Sequence, residues 1–280
     1  GIVIGIGEGV TKVKKGDHCV VTWIKASGLD AFGTKYRSAL GVVNSGPVST
    51  FQKHAIVSEN RVVPIPKNIS FKDAALLGCC IPTGAGTVFN LSEISKNDSL
   101  IIFGIGGVGM SALLAAKKIG VTTIAVVDLA EARLAQAKEC GATSIINANH
   151  RSTLNDILAV NDGEFFDVSI ECSGSKTAME QAFQCVKEQG GRCLIAGNPR
   201  VGTLMEIDPY ALIKGKNISG SWGGGCVMDR DVVSYCSMIK KNQLSLGVFY
   251  GNEYRLGDIN TALADLQSAK VLRPLINMSL

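Results

Sequence analysis

The stretch Ser99-Leu-Ile-Ile-Phe103-Gly104-Ile105-Gly106-Gly107-Val108-Gly109 decides the fold. Leu100 to Phe103 are apolar without a break, the pattern of a strand buried on both faces. Beyond the glycines, Val108, Ala112, Ala115 and Ile119 recur at intervals of four, three and four, which marks one face of a helix. Gly120 stands where a helix end favours a left-handed residue. The glycines between strand and helix have separate tasks. Gly104 makes the tight turn, Gly106 lets backbone approach a pyrophosphate, and Gly109 lets the helix lie close to the strand. Gly107 and Val108 complete the loop, whose free N–H groups and helix dipole favour phosphate. Ile124-Ala-Val-Val127 is the next strand, and Asp128 ends it 24 residues after Gly104, where a carboxylate can accept from an adenosine ribose. The unit over about 99–128 therefore predicts a dinucleotide site.

Working outward, the texture alternates. Ala130, Leu134 and Ala137 form a helical stripe ended by Gly141; Asp167-Val-Ser-Ile170 is a strand; Met179, Phe183 and Val186 mark a helix that stops at Gly190-Gly191; Cys193-Leu-Ile-Ala196 is a strand. Strict alternation predicts an α/β fold with a Rossmann-type, doubly wound parallel sheet. After Gly223-Gly224-Gly225, the sets Val232, Cys236, Ile239 and Ile259, Leu263, Leu266 predict two helices, and a strand is expected at about 271–277. Residues 1 to about 66 read instead as short strands: 1–4, Cys19-Val-Val-Thr-Trp23, His54-Ala-Ile-Val57 and Arg61-Val-Val-Pro-Ile-Pro66. The interval of about 25–50, rich in Gly, Ser, Asn and Ala, is expected to be loop.

Bulk properties narrow the function. Twenty-eight basic against 24 acidic residues give a net charge of +4, too even a balance to imply nucleic acid or a membrane surface as partner. Two long uncharged stretches, Ala74 to Ser92 and Ser99 to Ala116, carry the Pro, Asn and Gly of buried elements with turns rather than of membrane spans. Nine cysteines, mostly in apolar runs and without paired spacing, argue against a disulfide framework and for a reducing, cytoplasmic setting. The first residue is a glycine inside a strand-like run, so the chain is expected to begin in mid-domain.

Gly7-Glu8-Gly9-Val10, Lys15-Gly16-Asp17 before a strand, and Leu77-Gly78-Cys79-Cys80-Ile-Pro-Thr83-Gly84-Ala-Gly86 add a more specific signal. Together with the glycine loop, Asp128 and Leu272-Arg273-Pro274, in that order and spacing, the chain resembles the zinc-dependent alcohol dehydrogenases of the medium-chain dehydrogenase/reductase family. The resemblance implies a GroES-like, mostly β catalytic domain, split over 1–80 and 224–280, around a Rossmann domain at 81–223. It implies NAD-dependent oxidation of an alcohol to an aldehyde or ketone, with a catalytic zinc as Lewis acid. Cys79 matches one zinc ligand, Thr83 a residue near the nicotinamide, Arg273 a pyrophosphate contact, and Gly197 backbone that meets the nicotinamide ring. A small alcohol or carbonyl substrate and a homodimer or homotetramer, assembled through the segment 204–221, are also implied, with Trp222 a candidate pocket wall.

Departures from the family pattern matter as much. The family's other two zinc ligands fall before the position of Gly1, so a fragment lacking the amino-terminal part of the catalytic domain is expected, inactive by itself, and no catalytic residue is assigned. The interval from Val20 to Phe51 has no cysteine, so no structural zinc is expected. None of His18, His54 and His150 has metal-site spacing; His18 is expected to face solvent, and Cys80 to pack. Asp128 favours NAD over NADP by repelling a 2′-phosphate, whereas Arg133, one turn later, could accept one. Four alternatives stay open. Asp128 with Glu131 has capping-box spacing; the glycines could serve another nucleotide-like ligand, as in methyltransferases. The whole could be a zinc-independent quinone or enoyl reductase, or a nucleotide-binding protein without enzymatic activity.

Overall fold

The computed structural model describes residues 1–39, 41–44, 46–150 and 153–280. Near the amino end, strand β1 (Cys19–Val21) precedes a small antiparallel hairpin, β2 (Tyr36–Ser38) and β3 (Gly41–Val43), and then pairs antiparallel with β4 (Val62–Pro64). The hairpin corrects the expectation of a plain loop over 25–50: its strands are short and largely exposed, so no buried alternation advertises them. Leu40 and Ser45 in that interval, like Arg151 beside His150, lie outside the described residues. Residues 54–57 form no strand, and in 1–4 only a single bridge, Ile2 to His18, is made.

Two helices follow, α1 (Phe71–Leu76), capped by the Ser70 hydroxyl accepting from the Asp73 N–H, and α2 (Cys80–Gly86), which runs on through one widened π turn over Thr87–Leu91. The alternating region then gives β5 (Ser99–Phe103), α3 (Gly107–Ile119), β6 (Thr123–Asp128), α4 (Glu131–Glu139), β7 (Ser144–Asn147), α5 (Leu154–Ala159), β8 (Val168–Glu171), α6 (Lys176–Gln184), β9 (Arg192–Ile195), α7 (Pro209–Ile213) and β10 (Asn217–Gly220). The chain closes with α8 (Met228–Lys240), β11 (Glu253–Tyr254), α9 (Ile259–Gln267) and β12 (Leu275–Ile276).

Six strands form one sheet in the order β10-β9-β8-β5-β6-β7, all pairs parallel. This is the doubly wound order, with its reversal between β5 and β8. The sheet's two outer strands, β7 and β10, escape the sequence reading because each has one neighbour and mixes polar with apolar residues. Alternate residues of β5 serve opposite faces, as strand geometry requires. Leu100 and Ile102 pack in a core with Leu113 of α3, Met228 of α8 and Leu77; Ile101 and Phe103 pack in another with Phe166, Phe183 and Cys193. The first core also holds Val20, Ile24, Val63 and Ile65, so β1 and β4 are tied to the sheet by continuous apolar contact. Among the described residues no helix is long and apolar enough to cross a membrane.

Candidate functional site

The crevice where the strand order reverses is floored by glycine. Gly104 leaves β5 with φ +81°, a left-handed conformation, and a Cβ there would stand 2.7 Å from Ser173 Cβ and 2.8 Å from its backbone nitrogen. The turn after β5 thus lies directly on the turn after β8. Gly106 is the residue before α3, with φ −71° and ψ −162°, no side-chain cap, and open space where a Cβ would be. The first N–H groups of α3 therefore have no side-chain acceptor at Gly106 and face a cleared approach. A Cβ on Gly107 would stand 2.7 Å from Arg273 Cδ and 3.0 Å from Cys80 Sγ. That contact brings Arg273 from the far end of the chain over the start of α3. A Cβ on Gly109 would collide with the Gly104 carbonyl oxygen, the close helix–strand approach the spacing predicts. Val108 serves through its carbonyl, which lies against Gly84 of α2.

Asp128 does not cap α4, whose preceding residue is Ala130. Its Oδ2 accepts from the Ile105 N–H at 2.7 Å and its Oδ1 from the Ala130 N–H at 2.9 Å, so one carboxylate locks the turns after β5 and β6 together. Glu131 instead accepts from the Asn147 amide at 2.5 Å. Arg133 is turned toward α9: its Nη2 donates to the Leu266 carbonyl at 3.2 Å, and its Nε is buried without a partner.

Thr83 lies one turn into α2, where its N–H donates to the Cys79 carbonyl at 3.0 Å. It is 8% exposed, and its hydroxyl oxygen has no partner. A buried hydroxyl left unpaired costs on the order of 1–3 kcal/mol unless something fills the position. Gly197 follows β9; a Cβ there would collide with Glu171 Oε2 and stand 2.9 Å from Gly174 Cα. Trp222, mostly exposed, meets Trp23 edge-on at 4.9 Å between ring centroids.

The crevice thus gathers Gly104, Gly106, Gly107, Gly109 and Arg273 around the start of α3, with Asp128 bracing it and Thr83 and Gly197 on flanking elements. These residues fit a dinucleotide: a cleared helix start for phosphate, a guanidinium beside it, and an unpaired hydroxyl.

The metal side differs. Cys79 is exposed and precedes α2 with φ −153° and ψ −62°, neither helical nor extended, and the neighbouring Gly78 packs against the Val21 carbonyl. Among the described residues no group of three or more His, Cys, Asp or Glu could hold a metal ion. His54 and His150 are exposed. His18 corrects an expectation: its ring packs on Phe71 at 4.6 Å, and its Nδ1 is buried without a partner rather than facing solvent. Cys80 is buried, its Sγ 3.4 Å from Ser111 Oγ, and burial pushes its thiol up from the ordinary value. The residues present do not fit a catalytic zinc by themselves.

Two features have no counterpart in the sequence reading. Glu171 ends β8 fully buried, although its position at the end of a strand at the crevice was a usable signal. Gly223, Gly224 and Gly225 all take positive φ, and a Cβ on Gly224 would stand 2.8 Å from Gly86 Cα. The turn after β10 therefore clasps α2 backbone to backbone.

Residues 107–241 match the zinc-binding dehydrogenase domain family. The chain is 27% identical over 303 residues to the S-(hydroxymethyl)glutathione dehydrogenase of Synechocystis, covering 99% of this chain and 82% of that protein. It is 28% identical over 308 residues to the class-3 alcohol dehydrogenase of Zea mays, covering 100% of this chain and 81% of that protein. Its fold matches the crystal structure of benzyl alcohol dehydrogenase from Acinetobacter calcoaceticus with a TM-score of 0.85 at 27% identity, over 99% of this chain and 81% of that one. With the reversed sheet order, the glycine turn and these likenesses in agreement, residues 107–241 carry the zinc-binding dehydrogenase domain, and the chain is similar over nearly its whole length to alcohol dehydrogenases of the zinc-binding type.

Proposed function

We propose that this chain holds NAD at the β5–α3 turn for reversible hydride transfer between an alcohol and its aldehyde or ketone. The likeness to alcohol dehydrogenases and the zinc-binding dehydrogenase domain over 107–241 support alcohol oxidoreduction as the class of reaction. The observation that carries the cofactor is the open helix start at Gly106 with the Arg273 side chain laid over Gly107. NAD, when bound, supplies the hydride acceptor. The chain's part is to bind and orient it. The N–H groups at the start of α3 and Arg273 would hold the pyrophosphate. Asp128 would face the ribose, and its negative charge, already fixed in place by two backbone N–H groups, favours NAD over NADP. Thr83 and Gly197 would border the nicotinamide, the Thr83 hydroxyl gaining a partner it now lacks.

Cys79 is assigned as a zinc ligand by the resemblance alone, and no step is derived through the metal. The functional division places the catalytic unit in 1–80 and 224–280 and the cofactor unit in 81–223. Strand β10, paired on one side only, would join a second copy edge to edge, and nine free thiols suit a reducing cytoplasm. Titration with NADH and NADPH, read by nicotinamide fluorescence, tests the central reading. Saturable binding with NADH tighter supports it; binding of neither, or NADPH tighter by tenfold, overturns it.

A further inference from the structure

We infer that Glu171 is a positioning residue of the cofactor crevice, fixing its rim and, through its charge, setting the preference between oxidised and reduced nicotinamide. The inference rests on the nicotinamide reading above and assigns it a residue.

Glu171 stands at the end of β8, in register with Phe103 of β5 on one side and Ile195 of β9 on the other. It is fully buried, and among the described residues it makes no ion pair. Its two oxygens differ. Oε1 accepts from the Ser173 N–H at 2.6 Å, the Ser173 hydroxyl at 2.5 Å and the Gly174 N–H at 2.9 Å. Oε2 has no well-aligned partner: the Gly197 N–H beside it is given to the Glu171 main-chain carbonyl and only brushes the carboxyl, and Oε2 occupies the space that a side chain at Gly197 would need.

Glu171 thereby links three turns, one through its carboxyl, one through its main-chain carbonyl and one through Ser173. Through Oε1 it shapes 172–174, and Ser173 in turn lies against Gly104. Gly174 lies 2.5 Å, measured from where its Cβ would be, from the Asn198 carbonyl oxygen, and the Glu171 carbonyl itself accepts from the Ala196 and Gly197 N–H groups at 2.8 Å. These are the turns after β5, β8 and β9, at and next to the reversal of strand order. A structural knot needs Oε1 only. The bare Oε2 beneath Gly197 is the feature a knot does not explain.

An oxidised nicotinamide ring carries a positive charge and a reduced ring none. A buried carboxylate with no cation beside it favours the positive ring, because little water screens the attraction. Burial also holds the Glu171 carboxyl above its ordinary range, so the charge is gained as pH rises from mildly acid values. The titratable groups facing it are the thiols of Cys172 and of Cys193 on β9, both pushed up by burial and neutral in that range. Lys176, at the start of α6, is turned to Glu180 and Glu206.

The test compares the parent chain with Glu171→Gln. The glutamine carbonyl can keep the Oε1 contacts while its amide takes the unpaired Oε2 position, so the rim is preserved and the charge removed. Dissociation constants for NADH, by fluorescence, and for NAD⁺, by competition, are measured from about pH 5 to about pH 9. In the parent chain the preference for NAD⁺ relative to NADH rises about tenfold with pH, the scale of a unit charge acting across a partly screened interior. In the variant it stays flat at the acid-side value. A parent ratio that does not move with pH overturns the inference whether or not the variant folds, and so does a variant ratio that tracks the parent within twofold. If the parent binds neither form, the nicotinamide reading falls and takes this one with it; binding of both with a fixed ratio removes this one alone.

Discussion

Gly106 and Gly109, three residues apart, are expected to fail in opposite ways when each is replaced by alanine. At Gly106 nothing stands within 4 Å of a new Cβ, and the backbone, at φ −71°, suits an L residue. Stability should stay within about 0.5 kcal/mol of the parent, as for substitutions that touch nothing. The methyl group, however, fills the approach the phosphates need, so NADH affinity should fall by at least tenfold, about 1.4 kcal/mol. At Gly109 the new Cβ collides with the Gly104 carbonyl oxygen and stands 3.0 Å from its carbonyl carbon and 3.3 Å from Ile102 Cγ2. Two of those atoms are backbone, so α3 must move off β5. Overpacking of this kind costs about 1–3 kcal/mol, and the helix propensity gained over glycine returns about 1 kcal/mol. With two backbone atoms in the way the upper end applies, a net loss of about 2 kcal/mol, which lowers Tm by roughly 4–8 °C at the 2–4 °C per kcal/mol of larger domains. Thermal melts and NADH fluorescence titrations on both variants read the two effects separately. The reasoning is refuted if Gly106→Ala melts as low as Gly109→Ala, or binds NADH as the parent does.

Asp128→Asn keeps one acceptor for two backbone N–H groups, so it should cost about 1–2 kcal/mol in denaturant unfolding and narrow the NADH-over-NADPH preference in fluorescence titration. Glu171 has a pKa raised on folding. Its contribution to stability is therefore complete below its unfolded value, near the ordinary 4.5, and is lost as pH rises through the higher folded value. Melts of parent and Glu171→Gln should show the variant gaining relative to the parent as pH rises above the ordinary carboxyl value; a difference independent of pH refutes this. Zinc competition against a chromophoric chelator should show no tight stoichiometric site on these 280 residues. A site abolished by Cys79→Ser would refute that.

The parallel sheet was legible because its central strands are buried on both faces and their helices carry apolar stripes, as Leu100–Phe103 and Val108–Ile119 show. What escaped was made of exceptions to those patterns. Ser144–Asn147 and Asn217–Gly220 are edge strands with one neighbour each, and Tyr36–Ser38 pairs with Gly41–Val43 largely in solvent, so burial imposed no period on their residues. At the site, glycine spacing gave the loop, because only a missing Cβ permits the approach at Gly106 and Gly109. Arg273 was singled out by resemblance alone, as a pyrophosphate contact, and its contact with Gly107 was not legible, since no local pattern connects residues so far apart. Asp128 shows another limit: its place at a strand end was readable, its bond to the Ile105 N–H was not. The histidines were placed by local polarity, and the ring of Phe71 decided otherwise for His18.

The stacking of α2 on α3 has a mechanical consequence. Cys79 immediately precedes α2, Gly84 within it rests on the Val108 carbonyl, and Val108 is the second residue of α3. Cys79 and the amides at the start of α3 thus ride on one block whose joint is main chain against main chain. No rotamer can lengthen or shorten that joint, so the span between the Cys79 main chain and those amides works as a fixed calliper, set by where the glycines fall.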